Sequence, residues 1–251
     1  MNIYGLIGYP LSHSFSRKYF LQKFKKENIA NTDFQLFELK DLSGFNDFIA
    51  TQKGLKGLSV TIPYKTLVKN FLDEIDPVAE KIGAVNCIKL NSANAKPFLK
   101  GYNTDAFGFE TSLIPLLKPQ YKKALILGTG GASQAVAYVL DKLEIEYLFV
   151  SRNPSDCKHI RYEIVNKQII SDFKLIINTT PLGMFPNIES KPFLPYEFLT
   201  SDHLLYDLTY NPDTTSFMKM GLQLGANVKN GFEMLTFQAE KAWEIWNGKG
   251  T

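Results

Sequence analysis

The sequence predicts an α/β fold in two domains: an N-terminal α/β domain, then a doubly wound domain built on a parallel sheet. Three observations lead there. Short apolar runs alternate with helical patterns along the chain, and such alternation means parallel strands joined by crossover helices. The pattern is sharpest at residues 123–140, KALILGTGGASQAVAYVL, which read as strand, glycine turn and helix. The length, 251 residues, fits one large domain or two modest ones at roughly 100 to 200 residues per domain.

The elements follow in order. NIYGLIG (2–8) is an apolar run bounded by glycine and proline, a buried strand. A helix is expected over about 16–28, apolar at Tyr19, Phe20 and Phe24. DFQLFEL (33–39) is a second strand, 43–52 a second helix, and KGLSV (56–60) a third strand. A helix around 65–72 leads to Asp76-Pro77 and a further helix. VNCIKL (85–90) and PFLKGY (97–102) form a hairpin, and a helix follows from about 104 to 117. Beyond the 123–140 unit, strands are expected at EYLFVSR (146–152), KLIINTTPLG (174–183) and HLLYDLTY (203–210). A helix over 214–225, a short strand at NVKNG (227–231) and a last helix over 231–247 close the chain. The loop near 115–122, with Pro115 and Pro119, is a surface link between halves.

Composition removes several classes. Hydrophobic residues are 45% and charged residues 21% of the chain, close to soluble globular averages, which excludes a disordered polymer. No apolar run approaches the roughly 18 to 20 residues that span a bilayer. The opening MNIYGLIGYP lacks a basic stretch followed by a long apolar one, so no signal peptide is expected. The net charge is +3. Lys18, Lys23, Lys25 and Lys26 read as the solvated face of a helix, and no nucleic-acid motif accompanies them. Cys87 and Cys157 match neither a disulfide framework nor a zinc site, and three scattered histidines add no metal site. A reducing, cytoplasmic setting is expected.

Gly128, Gly130 and Ser133 stand as G-x-G-x-x-S between a strand and a helix. The first glycine permits the tight turn, the second lets backbone approach a pyrophosphate, and the third position needs a small residue for helix–strand packing. The helix N-terminus then offers free N–H groups and a partial positive charge to phosphate. This is the arrangement of a Rossmann-type dinucleotide-binding domain. The end of the next strand selects the cofactor. It carries Ser151-Arg152-Asn153 and no acid. Arg152 favours NADP, since a guanidinium pairs with a 2′-phosphate by charge and a forked hydrogen bond. Asp156, four residues on, keeps NAD open.

The first half carries three polar clusters at strand ends: Ser12-His13-Ser14-Phe15-Ser16, Ser59 to Lys65, and Gly101 to Asp105. Singly, each has a plain structural explanation. Ser14 and Ser16 suit a helix cap, Asp105 suits another, and Lys65 suits a surface lysine. Together they describe a hydroxyl-rich pocket with one lysine and one aspartate.

These residues resemble the shikimate dehydrogenase family. IGYPLSHSFS is similar to that family's G-x-P-x-x-H-S-x-S motif, SVTIPYK to N-V-T-x-P-x-K, GAVNC (83–87) to G-A-V-N-T, and GYNTDAFGF to G-x-N-T-D-x-x-G. INTTPLGM (177–184), DLTYNPDTTSF (207–217) and NGFEMLTFQAEKAWEIW (230–246) also match, in the family's order. The resemblance implies reversible NADPH-dependent reduction of 3-dehydroshikimate to shikimate, on the route to chorismate and the aromatic amino acids. It implies two α/β domains with the active site in the cleft between them. The substrate-binding catalytic domain would comprise residues 1–104 plus 232–251, and the NADP-binding domain residues 105–231.

Carried over residue by residue, Ser14 and Ser16 would hold the substrate carboxylate, with Tyr210 nearby. Thr61, Asn86 and Gln238 would hold ring hydroxyls, and Lys65 and Asp105 would form the catalytic pair. Gly128, Gly130, Gly131, Ala132 and Ser133 would cradle the pyrophosphate, and Arg152 would meet the 2′-phosphate. Thr179 and the segment at Gly231 would line the adenosine and nicotinamide portions. No metal is implied. The expected partner is a small molecule rather than nucleic acid or membrane, and the chain is expected to be a monomer or homodimer. The indoles of Trp243 and Trp246 are expected to pack internally.

The chain departs from the family pattern at several positions. Ser59 stands for the usual Asn, Cys87 for Thr, and Gln134 for the Arg that often follows the glycine turn. Seven residues separate Arg152 from the apolar stretch IRYEIV (160–165), whereas a crossover with its helix needs about a dozen. That helix is expected to be a single turn or absent. The chain ends soon after Trp246, where many relatives continue into another helix, so a trimmed substrate domain or a truncated terminus is expected. Other readings are an NAD-linked quinate/shikimate dehydrogenase, a binding module derived from an inactive dehydrogenase, and a two-domain NADP enzyme of the methylene-folate kind. Lys65 and Asp105 argue against the second, and Ser14-x-Ser16 with Tyr210-Asn211-Pro212 fits the third poorly.

Overall fold

The computed structural model describes residues 1–11, 15–91 and 97–248. The chain divides into two compact units, Met1–Thr104 with Gln238–Thr251, and Asp105–Phe237. The second break falls inside the last helix rather than at its start.

In the first unit, β1 (Asn2–Gly8), α1 (Phe15–Lys26), β2 (Thr32–Glu38), α2 (Phe45–Thr51) and β3 (Leu55–Val60) form two successive crossovers, and β1 pairs in parallel with both β2 and β3. A short 3₁₀ turn, Leu67–Phe71, stands where a longer helix is expected, and it leads into the two-residue strand β4 (Glu74–Ile75). In α3 (Pro77–Ile82), the Asp76 carboxylate accepts from the Val78 N–H at 3.0 Å and Pro77 opens the first turn, while Gly83 ends the helix at φ +78. β5 (Cys87–Asn91) and β6 (Phe98–Tyr102) form the hairpin. The sheet order is β2-β1-β3-β5-β6-β4. Because β5 runs antiparallel to both β3 and β6, this sheet is mixed rather than parallel throughout.

Strand alternation sends its side chains to two cores. Ile7, Leu58, Val60 and Ile88 pack on one face with Phe45 and Ile49 of α2. Tyr4 and Leu6 face the other, with Phe20 and Phe24 of α1, Phe34, Cys87 and Trp246. Phe20 and Phe34 stack at 4.6 Å and are fully buried. Each such side chain contributes roughly 2 to 3 kcal/mol by leaving water. Gly57 of β3 is there for Trp246, since a Cβ would lie 2.3 Å from its ring. The Trp246 indole donates to the Ile88 carbonyl at 3.1 Å, so this tryptophan packs internally. The expected solvated lysine face of α1 holds for Lys18, Lys25 and Lys26 but not for Lys23. The last helix brings Glu240 across, and the Lys23 ammonium sits 2.7 Å from both Glu27 and Glu240.

The second unit opens with α4 (Asp105–Leu113), continued by a 3₁₀ turn at Ile114–Leu116. Then come β7 (Lys123–Leu127), α5 (Gly131–Lys142), β8 (Glu146–Val150), β9 (His159–Ile160), α6 (Lys167–Asp172), β10 (Leu175–Asn178), β11 (Leu204–Asp207), α7 (Ser216–Gln223), β12 (Asn227–Lys229) and α8 (Phe232–Trp246). The strands are all parallel, in the order β12-β11-β10-β7-β8-β9. Read from β9, that is third, second, first, fourth, fifth, sixth within the unit, the Rossmann order. The winding reverses between β7 and β10, where ligands of such sheets bind. No helix separates β8 from β9, in agreement with the short spacing. Of IRYEIV only Ile160 is strand, paired with Val150 beside His159, and Tyr162–Ile164 is a 3₁₀ turn. β7, β10 and β11 are almost wholly buried, and Leu125, Leu127, Val150, Ile176 and Leu205 form the core with Ile170 of α6 and Phe217 of α7.

Candidate nucleotide site and polar cluster

The glycine turn after β7 sits at the reversal point of the sheet. Gly128 has φ +104, a left-handed conformation that side chains disfavour, and a Cβ there would also meet the Thr179 hydroxyl and Thr180 at 3.0 Å. Gly130 is different. Its φ is −81, and a Cβ built on it meets nothing within 4 Å. Neither backbone nor packing demands glycine at 130, so its bareness leaves room for something outside the fold. Gly131 opens α5, and Gly131 and Ala132 are half-buried in its first turn. Ser133 is fully buried, and its hydroxyl and N–H both donate to the Gly130 carbonyl, at 2.6 and 3.0 Å. The turn thus presents a helix N-terminus, an empty approach and no acidic side chain in the first turn. A pyrophosphate fits that chemistry.

Ser151 follows β8 directly and its hydroxyl accepts from the Asn153 N–H at 3.1 Å, and Arg152 is exposed beyond the strand end. Asp156 is already engaged. Its Oδ1 accepts from the Lys158 N–H at 2.8 Å and lies 2.7 Å from Nδ1 of His159, whose ring stacks on Phe149. These bonds hold the Asp156 carboxyl below the usual carboxylate range, the His159 contact contributing most. The acid that kept NAD open is a brace of its own loop.

The turns after β10 and β11 are joined. Thr179 donates from both its N–H and its hydroxyl to the Leu127 carbonyl, at 3.0 and 2.7 Å, and so braces the glycine turn. Asn178 Nδ2 donates to Asp207 Oδ1 at 3.0 Å, and its Oδ1 accepts from the Thr180 N–H and hydroxyl. Tyr210 follows β11 and is half-buried. Gly231 is buried, its N–H donates to the Thr209 carbonyl, and a Cβ would lie 2.0 Å from the Leu208 carbonyl oxygen. Its glycine has a packing reason within the fold.

The polar cluster of the first unit gathers around Asn86. Its N–H donates to the Tyr102 carbonyl, and its carbonyl accepts from the Val60 N–H. Its side-chain oxygen accepts from the Thr104 N–H at 2.6 Å, and its amide donates to the Thr104 hydroxyl at 3.0 Å and to Gln238 Oε1 at 3.5 Å. Thr61 donates its N–H to Ile7 at the end of β1 and accepts from Tyr64. Lys65 is half-buried, and its carbonyl accepts from the Val85 N–H. Ser16 lies in the first turn of α1 and is half-buried, whereas Ser14 lies outside the described residues. Asp105 is the first residue of α4 and is buried. Among the described residues no group of acidic, histidine and cysteine side chains is set to hold a metal. No helix among them is long and apolar enough to cross a membrane.

Sequence reasoning gave no individual role to Asn178 or Asp207, and named Thr104 only within the Gly101 to Asp105 cluster. The signal was present for the first two, since each is a polar residue closing an apolar strand, in LIIN and LLYD. Of the departures, Cys87 is accounted for by its position. It is fully buried against Trp246, and burial pushes its thiol pKa up, so it serves there as a small apolar side chain.

A Rossmann-order sheet with a bare glycine turn at its reversal point, together with a mixed α/β unit bearing an amide and hydroxyl cluster, defines a two-unit nucleotide-binding α/β protein. Residues 6–88 match the family model described as the shikimate dehydrogenase substrate binding domain. The chain is 41% identical over 256 residues to shikimate dehydrogenase (NADP(+)) of Clostridium beijerinckii, covering 98% of this chain and 92% of that protein. The crystal structure of shikimate dehydrogenase 1 from Peptoclostridium difficile superposes with a TM-score of 0.86 at 37% identity, covering 100% of this chain and 93% of that one. Shikimate 5-dehydrogenase from Thermus thermophilus, solved in complex with NADP(H) and shikimate, gives 0.84 at 26% identity over 99% and 94% of the two chains. The chain belongs to the shikimate dehydrogenase family.

Proposed function

We propose that the chain catalyses the reversible NADPH-dependent reduction of 3-dehydroshikimate to shikimate, in the biosynthesis of chorismate and the aromatic amino acids. The observation that carries the reading is the glycine turn of a chain of this family, bare at Gly130 and placed where the sheet reverses its winding. In this reading Gly128, Gly130, Gly131, Ala132 and Ser133 receive the pyrophosphate on backbone N–H groups. Arg152 meets the 2′-phosphate, and Thr179 and Gly231 border the rest of the cofactor. The exposed Arg152 supports NADP over NAD, and Asp156 is tied through its Oδ1 to His159 within its own loop. The cofactor, when bound, supplies the hydride.

The protein supplies position and a proton. Ser14 and Ser16 hold the substrate carboxylate with Tyr210, and Thr61, Asn86 and Gln238 hold ring hydroxyls. The Asn86–Thr104–Gln238 bonds support this assignment, since they set amide oxygens and nitrogens in fixed directions before a ligand arrives. Reduction of a ketone builds negative charge on oxygen. The Lys65 ammonium stabilises that charge and delivers the proton, and Asp105 is its catalytic partner. Such a pocket needs no large basic surface, in keeping with a net charge of +3.

The test is a comparison of steady-state rates on shikimate and quinate, each with NADP⁺ and NAD⁺. Rapid turnover of shikimate with NADP⁺ is expected, and Lys65→Ala is expected to lower its kcat by about two orders of magnitude or more with substrate binding largely kept. Preferential NAD-linked quinate oxidation would overturn the reading, and near-normal kcat in Lys65→Ala would remove the role of that lysine.

A further inference from the structure

We propose that Asp207 is a positioning residue, which through its carboxylate holds the turn after β10 and the turn after β11 in one arrangement and so sets the places of Thr179 and Tyr210. This rests on the functional reading above.

Asp207 is fully buried at the last position of β11. Its two oxygens receive donors from three separate elements. Oδ1 accepts from the Asn178 amide at the end of β10 and from the Thr209 N–H of its own turn, both at 3.0 Å. Oδ2 accepts from the Thr215 hydroxyl at 2.6 Å, and Thr215 in turn caps α7 by accepting from the Met218 N–H. Asn178 passes the link on, holding Thr180 by its N–H and hydroxyl and Leu182 by its carbonyl. Further bonds run in the same sense. The Phe185 N–H donates to the Asn211 carbonyl, and Gly183 lies so close to Thr215 that a Cβ on it would stand 3.3 Å away.

The two turns therefore meet on one carboxylate, and each carries a residue of the proposed site. Burial pushes the Asp207 carboxyl up to about 6 against the pull of these donors. A group kept at that cost in an apolar interior is retained for the bonds it accepts. An asparagine has the shape to accept the Asn178 and Thr209 bonds and to donate to the Thr215 hydroxyl. An alanine leaves all three donors without an acceptor.

The experiment compares wild type, Asp207→Asn and Asp207→Ala. It measures the affinity for NADP⁺ by calorimetry, KM and kcat for shikimate, and thermal melting. Asp207→Ala is expected to raise both the NADP⁺ Kd and the shikimate KM by roughly tenfold, and Asp207→Asn to stay within about twofold of wild type. A purely structural residue lowers the fraction of active protein, which reduces kcat and leaves KM and Kd alone. That pattern in Asp207→Ala overturns the proposal, as does an Asn variant as impaired as the Ala variant. If Asp207→Ala does not fold, Thr215→Val removes one donor at nearly constant volume. A shikimate KM raised about threefold or more then supports positioning, and an unchanged KM overturns it. A wild type that binds NADP⁺ but does not turn over shikimate overturns the functional reading alone, and the NADP⁺ affinities of the variants still test Asp207.

Discussion

At the scale of single residues, the proposed choice of cofactor rests on the eight-residue stretch after β8. Arg152 is exposed there, and Asp156 is tied to His159 and the Lys158 N–H. A charged hydrogen bond contributes about 1.5 to 3 kcal/mol, so Arg152→Ala is expected to raise the KM for NADPH by ten- to a hundredfold and to leave the KM for NADH nearly unchanged. Paired KM measurements check this, and equal rises would detach Arg152 from the 2′-phosphate. Both residues were visible in the sequence. What was not visible was the direction of the Asp156 carboxylate, because a loop without a helix has no fixed period from which to read it. Lys23 teaches the same point. Its neighbours along α1 mark it as solvated, and only Glu240, 217 residues away, shows otherwise.

At the scale of elements, three glycines have three different reasons. Gly128 is required by its positive φ, Gly231 by a backbone oxygen where its Cβ would be, and Gly130 by neither. Gly231→Ala is therefore expected to destabilise the fold by about 1 to 3 kcal/mol or more, the range of overpacking. Gly130→Ala is expected to melt at the wild-type temperature and to bind NADP⁺ weakly. Thermal melts and calorimetry on the two variants separate these outcomes, and loss of stability in Gly130→Ala would show that the bare turn serves packing. Most elements were legible because periodicity and punctuation are local. The exceptions are instructive. The expected helix at 65–72 is only a 3₁₀ turn, β4 is two residues long, and IRYEIV contributes one residue to β9. Strands this short carry too few alternations to read, and they exist because a neighbouring strand offers them a partner.

At the scale of the molecule, pH acts through buried groups distributed in the sheet's surroundings. His203 is fully buried, with Nε2 2.9 Å from the Ile170 carbonyl and Nδ1 accepting from the Thr200 N–H at 3.0 Å. Burial chiefly holds its pKa below the ordinary 6.5. The folded chain thus takes up this proton less readily than the unfolded chain. Its contribution is full above about 6.5 and is lost as pH falls from there. Asp207 works in the opposite sense, its raised carboxyl pKa making ionisation costlier in the folded chain as pH rises through about 6. His203→Asn keeps the acceptor for Thr200 and drops the donor to Ile170. Wild type is expected to exceed it in stability by about 1 kcal/mol at pH 7.5, with the gap closing below pH 6.5. Urea titrations across that range measure it, and a gap independent of pH would mean His203 is not held neutral.

The sequence by itself determined most of the strands and helices, though not α6 or β4, together with the doubly wound second unit, the glycine turn and the missing crossover helix. Each is written in residues close together along the chain, through period, glycine and proline placement, and length. The tertiary structure alone decided that β5 pairs antiparallel with β3, that Asn86 meets Gln238, that Gly57 receives Trp246, and that one buried carboxylate joins the turns after β10 and β11. Those pairings join residues tens to hundreds of positions apart. Nothing local encodes them, because they depend on which strands become neighbours once the apolar faces are buried.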